Sequence, residues 1–310
     1  MRALMQLIFA VAVAMGGAAT VSAETSQAGA PATGTKAAYH PPAGDLKFNN
    51  DTKGAVARLK DRKEWVFSAP PRGTAAQEKE IYDPIMAYLS QATGQRFVFK
   101  PSGNWLTYGK EMTEGRYDLV FDGPHFNGWR EARLQHRPLV KLPEDFVFVV
   151  AARADDASIK DVKSLAGRAV CAHAPPNLGT LTMMSKFDNP SRQPFIVQVE
   201  GWKASYEGVL SKECVATVLP LKNLNKFDNG ANKKTRILYQ HVALPNQAFS
   251  AAPSIPADVQ VKIAQALLSE EGKRVAAKLL ETYAAKQFVT ASPEEYAGLG
   301  ILLKDSLYYQ

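Results

Sequence analysis

The stretch Leu119-Val120-Phe121-Asp122-Gly123-Pro124-His125-Phe126-Asn127 decides how the rest of this chain is read. Its first three residues form an apolar run of the kind that fills a buried strand. The run stops at Asp-Gly-Pro, and a helix-compatible segment, 126–134, follows at once. Strand, tight turn and helix in this order aim free backbone N–H groups and the positive end of a helix dipole at a bound anion. The same layout recurs further on. A strand over 168–172 leads into the turn His173-Ala174-Pro175-Pro176-Asn177-Leu178-Gly179, and a helix starts from Thr180. Two such mouths point to a ligand held in a cleft between two lobes.

Working outward, the residues before the opening stretch alternate strand and helix. Strands are predicted over 64–68, 96–100 and 117–122. Asp83-Pro84 reads as the N-cap and first residue of a helix, a position that suits proline because its missing N–H would be unpaired there anyway. Ile85, Met86 and Leu89 give that helix its buried face, and Gly94 closes it. Asn104 caps a second helix over 105–114. This β-α-β-α-β-α order predicts an α/β fold with a parallel sheet and helices on both faces.

A fully buried strand over 146–152 follows Pro143 and marks a lobe boundary. Beyond it, strands are predicted over 168–172, 195–199, 214–219 and 235–240, alternating with helices, and 247–252 reads as the last strand of that lobe. Two helices, 256–268 and 270–286, close the chain. The domain plan is therefore a first lobe from 62–143 plus 256–310 and a second lobe from 144–255.

The 310 residues are 46% apolar and 22% charged, an ordinary globular composition with room for one or two domains. Arg2, an apolar core over 7–15 and Val21-Ser22-Ala23 before Glu24 read as a secretory signal peptide over 1–23, cleaved after Ala23. The apolar core falls short of the ~20 residues a spanning helix needs, and Gly16-Gly17 interrupts it. Residues 24–61 form a leader; its first part, rich in Ala, Gly, Pro, Thr and Ser, is expected to be flexible. The mature chain is thus expected to be soluble and periplasmic. A net charge of +7 favours anionic ligands or surfaces. No basic block is interleaved with aromatics, which speaks against nucleic acid. Cys171 and Cys214 both fall in predicted second-lobe strands of an exported chain, and read either as a disulfide or as two buried thiols.

No Gly-x-Ser-x-Gly elbow, phosphate loop or His-Glu-x-x-His occurs. The five histidines, His40, His125, His136, His173 and His241, are too dispersed to suggest a ligand set, and no cofactor or metal is expected. A binding protein needs only a shaped, partly polar cleft. Asp122 either accepts from a ligand or caps the next helix, and His125 either donates to a ligand or faces water. Trp105, Tyr108, Phe126, Trp202 and Tyr206 lie near helix starts and either wall the cleft or pack the core; for Phe126 the core is favoured. Arg72 either pairs with an anion or is a solvated loop arginine.

The order of motifs carries a resemblance. Tyr82-Asp83-Pro84-Ile85-Met86-Ala87-Tyr88-Leu89 and Thr93-Gly94 are followed by Glu114-Gly115-Arg116-Tyr117-Asp118-Leu119 and Gly123-Pro124. Then come Asp161-Val162-Lys163-Ser164-Leu165-Ala166-Gly167-Arg168 and a turn with Gly179. Over about residues 62–290 the chain resembles the periplasmic solute-binding proteins of phosphate/phosphite/phosphonate ABC transporters, a type 2 periplasmic-binding-protein fold. The resemblance implies a non-enzymatic, monomeric protein whose lobes close on a hinge around one small anionic or zwitterionic solute. It implies a membrane permease of an ABC transporter as partner, with a membrane sensor kinase as the alternative. Carried over, the implied ligand contacts are Ser68 and Ala69, then Asp122, Gly123, Pro124 and His125, then Asn177, Gly179 and Thr180. The chain departs from the family at the third group: a Ser-Thr-Ser-Gly run is replaced by Pro176-Asn177-Leu178-Gly179, which leaves Thr180, Thr182 and backbone N–H groups as donors.

Overall fold

In the computed structural model the chain, described over residues 64–303 except Asn232, runs out from one sheet to a second and back again. The expected signal peptide and leader lie outside the described residues. The outward half comprises β1 (Trp65–Ser68), α1 (Ala75–Thr93), β2 (Phe97–Phe99), α2 (Trp105–Thr113), β3 (Leu119–Asp122), α3 (Pro124–Leu134) and β4 (Arg137–Lys141). The second lobe holds β5 (Phe148–Arg153), β6 (Ala169–Ala172), α4 (Leu178–Met184), β7 (Phe195–Gln198) and α5 (Trp202–Leu210). It continues through β8 (Ala216–Pro220), α6 (Leu221–Phe227) and β9 (Thr235–Gln240). The chain then returns as β10 (Ala248–Ala251), α7 (Ala257–Leu268), α8 (Glu270–Val275), α9 (Ala277–Thr282) and β11 (Val289–Thr290).

The first sheet has the order β11-β4-β10-β3-β1-β2 and the second β7-β6-β8-β5-β9. In each, three neighbouring strands pair in parallel, β2-β1-β3 and β7-β6-β8, and one strand, β10 in the first sheet and β5 in the second, is inserted antiparallel to both its neighbours. Strand 248–251, expected in the second lobe, belongs instead to the first sheet, wedged between β3 and β4 with Ser250 opposite Val120. All four of its residues are buried, with Phe249 and Ala251 on one face and Ala248 and Ser250 on the other. The Ser250 hydroxyl lies 2.5 Å from Asn127 Oδ1 on α3 and ties the strand to that helix.

Two further expectations are corrected. The helix around Pro84 starts at Ala75, because Thr74 and Gln77 form a reciprocal capping box. Pro84 sits inside it on the exposed side, where the carbonyl it leaves unpaired can reach solvent. Strand β4 is not among the strands expected from the sequence, and Pro138 is a residue that strand interiors disfavour. The structure accommodates it at a register shift, where Ser250 faces Pro138 and Phe249 faces Val140.

Two chain segments, 142–147 and 241–247, join the lobes side by side. Phe146 and Leu244 form an antiparallel bridge, Leu142 N–H donates to the Gln247 carbonyl at 2.9 Å, and Asn246 Nδ2 donates to the Pro143 carbonyl at 3.2 Å. The first core is aromatic, with Phe249 central: its ring centroid lies 4.8 Å from Phe121 and 5.5 Å from Phe288. The second core is aliphatic, around Val150, Val170, Met183 and Val218. Cys171 and Cys214 are joined by a disulfide across 5.6 Å between Cα atoms, and Gly208 of α5 leaves room for it: a Cβ there would meet Cys171 Sγ at 2.6 Å.

Candidate ligand cleft

The turn after β3 is held from behind. Asp122 at the strand end is fully buried, and it does not cap α3, whose N-cap is Gly123. One Asp122 oxygen accepts from Tyr108 Oη at 2.6 Å and the other from Arg130 Nε at 2.7 Å. Arg130 Nη2 donates to Tyr108 Oη at 3.0 Å, and Asn127 Nδ2 donates to the Asp122 carbonyl at 2.7 Å. These bonds fix the turn so that Gly123, Pro124 and His125 face the space between the lobes.

That space is a small cavity, about 20 Å³, whose walls come from both lobes. Lobe one supplies Arg72, Trp105, Gly123, Pro124 and His125; Asn177, Gly179 and Trp202 face them from lobe two. Gln247 enters from the returning hinge segment, and Phe148, Leu178 and Val218 make an apolar wall. Gly179 is required for this approach: a Cβ would sit 2.7 Å from Val218 Cγ1. Arg72 is flanked by two rings, its guanidinium carbon 5.8 Å from the Trp105 centroid and 5.7 Å from that of Tyr283. Its backbone N–H donates to Glu78 Oε1 at 2.8 Å. Beyond Arg72 and Trp202 lies a larger outer cleft of about 520 Å³, walled by Glu78, Tyr82, Glu200, Lys226 and Tyr283 among others.

His125 reaches across the cleft. Its Nε2 donates to the Pro176 carbonyl at 3.2 Å, and burial, with the Arg72 cation adding to it, pushes its pKa down to about 3. His173, lying between the rings of Trp105 and Trp202, is likewise held at about 3 by burial first and Arg72 second. Both imidazoles are therefore neutral near pH 7. Several buried polar atoms around the cavity have no partner: Trp105 Nε1, His125 Nδ1, His173 Nε2, Gln247 Oε1 and Tyr283 Oη. Unpaired buried groups cost about 1–3 kcal/mol each, so their clustering is the mark of a site built to meet something polar.

Eight of the residues expected to touch ligand thus line the cavity: Arg72, Trp105, Gly123, Pro124, His125, Asn177, Gly179 and Trp202. Six do not. Ser68 donates to the Lys100 carbonyl at 2.8 Å and Ala69 is buried beside it. Tyr108 and Asp122 belong to the buried network behind the turn. Thr180 donates to the His173 carbonyl at 2.7 Å, and Tyr206 packs on Phe227, ring centroids 5.9 Å apart. Phe126 stacks on Trp105 and is fully buried. Gln247 of the inner cavity and Tyr283 of the outer cleft were missed because each is brought in by tertiary structure from a segment with no local signature.

A model of the family described as "ABC transporter, phosphonate, periplasmic substrate-binding protein" matches residues 67–296. The chain belongs to that family. Its members are non-enzymatic solute-binding subunits of ABC transporters in the periplasm. No curated protein matches the chain in sequence. Solved structures match in fold. PhnD1 from Prochlorococcus marinus, solved in complex with methylphosphonate, shares 14% identity at a TM-score of 0.58, covering 78% of this chain and 97% of that one. XAC2383 from Xanthomonas citri, solved bound to ATP, shares 12% identity at a TM-score of 0.58, covering 78% and 98%. The binding component of an ABC phosphonate transporter from Pseudomonas aeruginosa shares 12% identity at 0.59, covering 76% and 84%. All three share the two-lobed fold.

Proposed function

We propose that this family member captures a small oxyanion or zwitterion, phosphonate- or phosphate-like, in the cavity between its lobes. The observation that carries the reading is the convergence of Arg72, the unpaired Trp105 Nε1 and the start of α3 on one small space. A cation, a ring N–H donor and a helix N-terminus together suit a compact anionic head. Glu78 and Glu200, next to Arg72 in the outer cleft, can receive an amine on the same solute.

Capture works through the two-stranded hinge, 142–147 and 241–247. With the lobes apart, the solute meets Arg72 and the α3 turn on lobe one. Closure then adds lobe two and locks the rim through three contacts. These are His125 Nε2 to the Pro176 carbonyl, Asn223 Nδ2 to the Thr282 carbonyl at 3.0 Å, and the Trp202 and Tyr283 rings 4.9 Å apart. Lys226 and Glu281, 3.8 Å apart and exposed, add a weak ion pair. The closed monomer is then recognised by the permease. The family supports a permease as partner; nothing in it favours a sensor kinase. A thermal-shift screen against phosphate, phosphonates, other oxyanions and amino-acid-like solutes, with neutral sugars and organic cations in the same panel, tests the reading. A ligand at 100 times its Kd adds about 2.7 kcal/mol to stability. A response confined to neutral sugars or to cations would overturn it.

A further inference from the structure

We propose that the cleft selects an oxyanion that still carries a hydroxyl, with His125 Nδ1 accepting that hydroxyl proton and Gln247 Oε1 beside it. The inference deepens the anion-binding reading above and rests on it.

The argument begins with a tautomer. His125 Nε2 lies 3.2 Å from the Pro176 carbonyl oxygen, an atom that can only accept, so Nε2 carries the proton. In a neutral imidazole the other nitrogen then has a bare lone pair. His125 Nδ1 is buried, without a partner, and at the cavity wall. Gln247 Oε1 is a second buried acceptor without a partner in the same corner. The position a Cβ of Gly123 would take lies 2.9 Å from Gln247 Oε1 and 3.2 Å from His125 Nδ1, so both acceptors flank one point above that glycine. Two acceptor lone pairs repel a bare anionic oxygen and welcome an O–H.

The charges agree. Arg72 is the one formally charged side chain lining the inner cavity among the described residues. The titratable groups that face this corner are Arg72 from the loop after β1 and His173 from the second-lobe turn. Burial keeps His125 and His173 uncharged, and Asp122 in the same turn is already paired with Arg130. Lobe two adds little to stabilise a second negative charge. Asn177 Oδ1 caps its own helix, accepting from the N–H groups of Gly179 at 3.1 Å and Thr180 at 3.4 Å, and the Thr180 hydroxyl is spent on the His173 carbonyl. Phe148, Leu178 and Val218 present only carbon. One cation, two lone-pair acceptors and an apolar wall describe a singly protonated monoanion bearing a compact apolar group.

Methylphosphonate and methanesulfonate share a tetrahedral shape and a methyl group, but below its second ionisation only methylphosphonate keeps an O–H. Titration calorimetry of the mature chain with each tests the inference. Expected is binding of methylphosphonate at least tenfold tighter than methanesulfonate at pH 6. Methylphosphonate affinity should then fall about tenfold per pH unit above its second ionisation. His125→Leu, checked for an unchanged unfolding transition, should bring the two affinities within about threefold, while His125→Gln, which keeps an acceptor, should retain part of the preference. Equal or tighter binding of methanesulfonate by the native chain would overturn the proton-acceptor role and leave the anion-binding reading standing. Silence from both anions, with a response to a neutral or cationic solute, would overturn that reading and this inference together.

Discussion

Arg130 offers the sharpest test of how the cleft is built. It is fully buried on α3, its Nε pairs with Asp122 at 2.7 Å, and its Nη2 donates to Tyr108 Oη. Its guanidinium carbon also lies 5.7 Å from the ring centroids of both Tyr108 and Tyr117. Arg130→Met keeps much of the side-chain volume and removes the charge. It leaves the Asp122 carboxylate in a dry pocket with only the Tyr108 hydroxyl, the Asn127 amide being bonded to its backbone carbonyl. Breaking a buried pair on one side costs about 3–5 kcal/mol, a large share of the roughly 5–15 kcal/mol that holds a domain folded. Urea unfolding followed by tryptophan fluorescence should therefore show a midpoint far below that of the native chain. Adding Asp122→Asn removes the stranded charge, so the double variant should regain about 1–3 kcal/mol over Arg130→Met alone. A loss below about 1 kcal/mol for Arg130→Met, or a double variant no better than the single one, would refute the claim that this network is a desolvated charge pair.

Three other outcomes follow from the same contacts. His125 and His173, held at about 3 by burial, refuse a proton that the unfolded chain accepts near 6.5. Their contribution is whole above pH ~6.5 and is lost as pH falls toward 3, about 1.4 kcal/mol per histidine per unit, so the urea midpoint should drop between pH 7 and pH 5. Glu131, raised to about 6 by burial, works in the opposite sense and blunts the drop; a flat midpoint that is also flat in His125→Gln/His173→Gln would contradict the assignment. Gly128→Ala puts a Cβ 2.5 Å from the Tyr296 carbonyl and 2.7 Å from the Gly300 nitrogen, where the C-terminal segment clamps α3. It should cost about 1–3 kcal/mol and lower Tm by several degrees in calorimetry; an unchanged Tm would mean that the segment does not bear on α3. Reducing the Cys171–Cys214 bond, which closes a separation of 43 residues, should cost about 4 kcal/mol, read as a shift in urea midpoint with and without reductant.

Where the sequence was legible, local chemistry was enough. The stretch that opens the reading is a strand ending at Asp122 and a helix beginning at Pro124, and α2 starts at Trp105 after its Asn104 cap, Oδ1 accepting from Thr107 N–H at 2.8 Å. Strand membership was not local. Ala248–Ala251 is as apolar and as short as a second-lobe strand, and only the pairing of the two hinge segments decides that the chain has already crossed back. Pro138 disfavours a strand locally, and β4 accommodates it by leaving Leu139 out of register against β10, a strand far along the chain. Roles within the site were harder still, because one residue type serves two ends. Asn177 read, through the resemblance, as a ligand contact, and it does line the cavity, yet its oxygen is consumed by the first turn of its own helix. Asp122 read as a ligand acceptor or a cap; it does not cap α3, and its oxygens are bonded within the fold to Tyr108 and to Arg130, which folds back from further along the chain. A buried arginine between Trp129 and Leu134 was the available signal: a charge on the packed side of a helix needs a buried partner, and Asp122 is the nearest carboxylate on its N-terminal side. The position of the cleft therefore follows from strand, turn and glycine spacing, whereas its selectivity depends on which polar atoms are left unpaired after the fold has taken what it needs.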